Sequence, residues 1–119
     1  MRVLLVEDEP FLALDLEQCF NDRGAVVHVV DTVAEAFGCD LSAVDVAVLD
    51  IDIDGERVWP VADWLLAEAK PYMLASGLCA TPERIVPAHR HVPCLSKPVA
   101  TSRVVDLAFS VVHQVPADR

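Results

Sequence analysis

The chain has 119 residues, a hydrophobic fraction of 54% and a formal net charge of -10. That length makes one domain able to bury a core, and that apolar content excludes disorder. The charge excludes unspecific attraction to nucleic acid or anionic membrane and favours a cationic or metal-bearing partner.

Two periodicities alternate along the chain. Apolar runs of strand length fall at 2–6, 25–30, 45–50, 71–75 and 92–96, with helix-length segments of 3.6-type spacing between them. Pro10 opens the first helix, whose stripe is Leu12, Leu16, Cys19 and Phe20, and Gly24 follows its end. A short second helix is expected from Val33 to Gly38 and a third from Pro60 to Ala69. The segment after Thr81-Pro82 is a weak fourth helix, because Pro87 limits it to about two turns. The last helix begins near Thr101 and carries Val104, Val105, Ala108, Val111 and Val112.

Continuous rather than alternating apolar strands imply a parallel sheet buried on both faces. Five strand–helix repeats with right-handed crossovers give a three-layer α/β sandwich. One domain over 1–114 with a frayed tail at 115–119 is expected. The longest apolar runs fall far short of a membrane span and no signal peptide precedes Val3, so a soluble, cytoplasmic protein is expected. Cys19, Cys39, Cys79 and Cys94 lack zinc-type spacing and lie in apolar contexts, where thiols act as core filler. Disulfides are not expected in a reducing cytosol. His28, His89, His91 and His113 share no ligand spacing and are read as surface or core-edge residues. Trp59 and Trp64 are read as packing anchors.

Polar residues close the apolar runs. Glu7-Asp8 follows Val3–Val6, Asp50 follows Val46–Leu49, Ser76-Gly77 follows Met73–Ala75, and Lys97-Pro98 follows the run at 92–96. Ligands in an open parallel sheet gather outside the carboxyl ends of the strands, so these groups read as one site. Singly, each has an ordinary explanation as helix cap, turn residue or loop. Their joint occurrence after separate strands does not.

This ordered pattern, Val-Leu-Leu-Val-Glu7-Asp8-Glu9-Pro10, then Val-Leu-Asp50, Ala-Ser76-Gly77 and Leu-Ser-Lys97-Pro98, resembles the receiver domain of two-component response regulators. The resemblance spans essentially the whole chain. It implies a flavodoxin-like (βα)5 fold with strand order 2-1-3-4-5 and a site at the switch point. It implies that Asp50 accepts a phosphoryl group from a phosphohistidine, as a carboxylate nucleophile can, with Mg2+ neutralising charge on the transferring group. By the same resemblance, Asp8, Asp50 and the backbone carbonyl of Asp52 are metal ligands, and Glu7 acts through a metal-bound water. Lys97 pairs with Asp50 or a phosphoryl oxygen, the Lys97-Pro98 peptide is cis, and Ser76 moves inward to donate its hydroxyl to the phosphoryl group. The implied partners are a sensor histidine kinase or histidine phosphotransferase and a downstream protein. Neither nucleic acid nor membrane is expected as a partner, no output domain is expected, and the chain is read as a phosphoacceptor rather than an enzyme.

The stretch Trp59-Pro60-Val-Ala-Asp63 is similar to stand-alone receivers of alphaproteobacteria, which carry Phe-Ala-Thr-Gly-hydrophobic-Tyr on strand four. Here that run is Leu74-Ala75-Ser76-Gly77-Leu78-Cys79. Cys94 stands three residues before Lys97, where many receivers have a switchable aromatic. Weaker coupling between phosphorylation and the surface of the last two repeats is therefore expected. Asp52 is expected to order or repel the water that hydrolyses the aspartyl phosphate. Asp54 replaces a common proline, which points to a more flexible loop after the third strand.

Asp50-x-Asp52-x-Asp54-Gly55 also starts like a calcium loop, but the required twelfth-position glutamate is Val61. A haloacid-dehalogenase-like phosphatase, with Asp50 as nucleophile and Asp52 as proton donor, would leave Glu7-Asp8 unexplained. A receiver-fold interaction module that is never phosphorylated is the third alternative.

Overall fold

The computed structural model describes residues 1–113; the expected tail at 115–119 lies outside the described residues. Five parallel strands, β1 (Arg2–Val6), β2 (Val26–Val30), β3 (Val46–Leu49), β6 (Tyr72–Ser76) and β7 (Cys94–Ser96), pair in the order β2-β1-β3-β6-β7. Counting only these strands, that is the expected 2-1-3-4-5. A two-residue hairpin, β4 (Asp52–Ile53) and β5 (Glu56–Arg57), follows β3. The helices are α1 (Pro10–Asp22), α2 (Val33–Phe37), α3 (Trp59–Ala67) and α4 (Thr101–His113).

The three central strands are buried along their length apart from Arg2, and their alternate residues feed two cores. Leu4, Val6, Ala47, Leu49 and Leu74 pack on the α2–α3 side. Val3, Leu5, Val46, Val48 and Met73 pack on the α1–α4 side. Burial on both faces thus follows from the period-two alternation of side chains, each face having its own helical cover. The edge strand β2 departs from the expected full burial, with Val26 63% exposed.

Local chemistry sets the helix ends. Pro10 occupies the first turn of α1, where its missing N–H costs nothing, and Gly24 leaves the helix at φ +83°. The Thr32 side chain caps α2 by accepting the Glu35 N–H at 3.0 Å. The fourth repeat departs from the expectation of a helix. Between β6 and β7 the chain forms only 3-10 turns, Gly77–Ala80, Pro82–Arg84 and Pro87–His89. Pro82 and Pro87 each remove a backbone donor, and no stretch between them is long enough to repay helix nucleation.

Instead of an open loop after β3, Asp54 and Gly55 form the tip of the β4–β5 hairpin, both at positive φ (49° and 81°). Tight hairpin turns of this kind need φ > 0 at both central residues, which explains the Asp-Gly pair. Gly55→Ala is therefore expected to lower stability by about 1 kcal/mol, read from urea unfolding; an unchanged midpoint would contradict this account of the turn.

Candidate functional site

Three backbone hydrogen bonds carry the sheet into the site. The Glu7 N–H donates to Val30 O at 3.0 Å, the Asp50 N–H to Val6 O at 3.0 Å, and the Lys97 N–H to Ser76 O at 3.2 Å. The carboxyl ends of β1, β3, β6 and β7 are thereby held level, and the polar residue after each run emerges on the same rim.

Lys97 Nζ donates to Glu7 Oε1 at 2.6 Å and to Asp50 Oδ2 at 2.7 Å. Glu7 is 3% exposed and the Asp50 side chain 12%. Carboxylate oxygens of Glu7, Asp8 and Asp50 lie within 4.8 Å of one another. Asp8 is exposed, and its Oδ2 accepts the Asp54 N–H at 2.8 Å, which ties the hairpin tip to the cluster. Ser76 is buried, and its Oγ accepts the Leu78 N–H at 3.3 Å. The Lys97-Pro98 peptide is cis, as the resemblance implied.

Burial pushes the Glu7 carboxyl up to about 7; the Lys97 hydrogen bond opposes this and the Asp50 charge reinforces it. Burial alone would pull Lys97 down, but its bonds to Asp50 and Glu7 outweigh that and raise it. A carboxyl that holds its proton longer when folded makes the folded state bind more protons between the two values. Its stabilising contribution is thus complete below the unfolded pKa and lost as pH rises through the folded one. Without divalent metal, the stability of the wild type relative to Glu7→Gln is expected to fall by about 3 kcal/mol between roughly pH 4.5 and 7.5. Urea unfolding across that range in EDTA checks this, and parallel pH profiles would contradict it.

Glu7, Asp8, Asp50 and Lys97 thus converge, while Asp52 does not join them through its side chain. The Asp52 carboxylate is exposed and paired with Arg57 across the hairpin. Among described histidines, His28, His91 and His113 are exposed as expected, but His89 is fully buried, a correction to the surface or core-edge reading. Its Nε2 lies 2.6 Å from Asp63 Oδ1 and its Nδ1 2.5 Å from the Tyr72 hydroxyl. Its ring stacks on Trp59 at 5.6 Å and 3°. An ionised carboxylate only accepts, so in the neutral ring Nε2 donates to Asp63 and Nδ1 accepts from Tyr72. Burial, with the Asp63 charge, pushes the Tyr72 hydroxyl up to about 12, so it keeps the proton it donates.

The expectation that all four cysteines are unpaired filler is also overturned. Cys79 and Cys94 are joined in a disulfide, with Cα atoms 5.7 Å apart, while Cys19 and Cys39 are free. The β6–β7 register sets Leu74 beside Cys94, and the turn after Ser76 brings Cys79 to the same place.

No family model and no curated protein matches the chain. Solved structures do. SdrG from Sphingomonas melonis Fr1 is 31% identical over 95% of this chain and 96% of its own, with a TM-score of 0.78. The non-phosphorylated HemR receiver domain from Leptospira biflexa superposes at a TM-score of 0.84 and 20% identity, covering 97% of this chain and 96% of that one. The response regulator TrrA from Thermotoga maritima, solved in complex with Mg(2+)-BeF, gives 0.78 at 18% identity over 92% and 97%. The chain belongs to the receiver-domain family of response regulators. No described helix is long and apolar enough to cross a membrane.

Proposed function

We propose that the chain is a phosphoacceptor in a two-component relay, taking a phosphoryl group from a phosphohistidine onto Asp50. The observation that carries this reading is the Lys97 ammonium held between Glu7 and Asp50 at 2.6 and 2.7 Å, beside Asp8, on one rim of the sheet. The donor set is hard, anionic oxygen, which fits Mg2+. Asp8 and Asp50 would bind the ion directly, with the Asp52 carbonyl as a further ligand and Glu7 reached through water. When bound, Mg2+ would neutralise charge on the transferring phosphoryl group.

The chain's own residues do the rest. An Asp50 oxygen forms the new bond to phosphorus as the bond to the donor nitrogen breaks, and the freed imidazole keeps the electron pair. Lys97 follows the charge as a mobile point cation, leaving Glu7 for a phosphoryl oxygen. Ser76 donates its hydroxyl to the phosphoryl group, and the chain after it carries the change to a partner surface.

A histidine kinase or histidine phosphotransferase as donor is supported by the rim of the site. Phe11 and Leu14 on α1 are 80% and 60% exposed. A cleft of about 400 Å3 runs from Glu7 and Asp8 past Leu14 to Glu17, Asp31 and Glu35. Apolar anchors beside an acidic cleft suit a helix that carries a histidine and basic neighbours. Such a protein works in the cytoplasm, with no nucleic acid or membrane contact. Acetyl phosphate with Mg2+ should add a single phosphoryl group per chain, and EDTA should prevent it. Repeated turnover of a phosphomonoester would instead favour the phosphatase reading.

A further inference from the structure

We propose that Cys79 and Cys94 are a thiol–disulfide switch that fastens the chain after Ser76 to strand β7 and thereby gates phosphoryl uptake. The inference rests on the phosphoacceptor reading for its output and on this pair for its mechanism.

Each half of the disulfide stands three residues from a site group. Cys79 lies in the 3-10 turn that Ser76 caps, and Cys94 opens the strand that leads to Lys97. Ser76 pairs with Ser96 in the β6–β7 register, and its carbonyl accepts the Lys97 N–H. The covalent tie therefore closes a loop of 15 residues' separation directly above the pair of elements that carry Ser76 and Lys97. A Cα separation of 5.7 Å is ordinary for a disulfide, so the fold accepts the bond with its strands in register.

The chain between the two cysteines makes the tie consequential. It contains 3-10 turns instead of a helix, so few cooperative backbone bonds hold it. Just before Cys79, Gly77 is exposed and a side chain there would meet only open space, so a shift of the backbone at this point displaces no packed side chain. Ser76 needs this freedom to bring its hydroxyl to a phosphoryl group, because its Oγ is held to the Leu78 N–H. With Cys79 bonded to Cys94, only Gly77 and Leu78 separate Ser76 from a fixed point. Reduction releases that point.

Both cysteines are half-buried, reachable by a small thiol yet packed against the core beneath α3. The reductant is a low-molecular-weight thiol. Its thiolate attacks one sulfur, the Cys79–Cys94 bond breaks, and the released thiolate takes a proton. A second thiol resolves the mixed disulfide, so two small thiols are oxidised to their own disulfide while Cys79 and Cys94 gain two electrons and two protons. Disulfides in a reducing compartment are characteristically transient and redox-sensing, which fits this role.

The test uses the full chain after oxidised glutathione or dithiothreitol. Alkylation under denaturing conditions should tag Cys19 and Cys39 alone in the first sample and all four cysteines in the second. Uptake from acetyl phosphate with Mg2+, followed by intact mass, should be at least about fivefold faster in the reduced sample, the lower end of ordinary coupling between sites. Cys79→Ser and Cys94→Ser should each take up phosphate at the reduced rate under both treatments. A Cys19→Ser, Cys39→Ser double variant should keep the response. Four tagged cysteines after oxidation, equal rates in both samples, or loss of the response in the double variant overturns the switch. A label in neither sample overturns the phosphoacceptor reading and the gate with it, whereas equal labelling in both removes the gate alone.

Discussion

Lys97→Met is expected to slow phosphoryl uptake by about 10²-fold or more, the usual cost of deleting one preorganised group that meets developing charge. It should also destabilise the metal-free protein at pH 8 by about 3 kcal/mol, because two acids at the rim lose their shared cation. The two effects have different pH behaviour. Glu7, already pushed up to about 7 by burial, takes a proton as pH falls, so the cluster sheds its uncompensated charge. The stability loss should therefore shrink below roughly pH 6, while the loss of uptake rate persists. Mg2+ should recover most of the stability but little of the rate, since a divalent ion can neutralise the acids without occupying the ammonium's place. Urea unfolding at both pH values with and without Mg2+, beside acetyl phosphate kinetics, separates these effects. Wild-type uptake in Lys97→Met would remove the lysine from the mechanism.

His89→Ala is expected to cost about 2–4 kcal/mol, because it opens a cavity and leaves the buried Tyr72 hydroxyl without its acceptor. Asp63 is exposed and regains water, so it adds little. The imidazole is what fastens the Pro87–His89 turn to α3 and β6, through Asp63, Trp59 and Tyr72. A helix in this repeat would be held by its own backbone bonds; here the Pro87–His89 turn is anchored to α3 and β6 through this ring, alongside buried Ile85 and the Cys79–Cys94 bond. His89→Ala should therefore raise amide hydrogen exchange in residues 77–93 well before global unfolding. A stability change below about 0.5 kcal/mol, the range of an ordinary surface substitution, would contradict this role.

The contrast between these two residues shows what a sequence carries. Lys97, Asp50 and Glu7-Asp8 were legible because each follows its own apolar run, and parallel strands align their carboxyl ends without further information. His89 was not legible, because its partners come from α3 and β6 and nothing in the proline-rich segment around it is periodic. The disulfide was hidden for the same reason: Cys79 and Cys94 meet through strand register and a turn, not through spacing. The hairpin after β3 did leave a signal. Asp54-Gly55 is a strong two-residue turn pair, and this pair, not the absent proline, sets the conformation after β3. The fourth crossover was legible in its prolines, which forbade a long helix without specifying the turns that replace it.

The account stands or falls on Asp50. Intact mass after incubation with acetyl phosphate and Mg2+ should show one added phosphoryl group on the wild type and on Asp52→Asn, and none on Asp50→Asn. Equal uptake by Asp50→Asn and the wild type would contradict it.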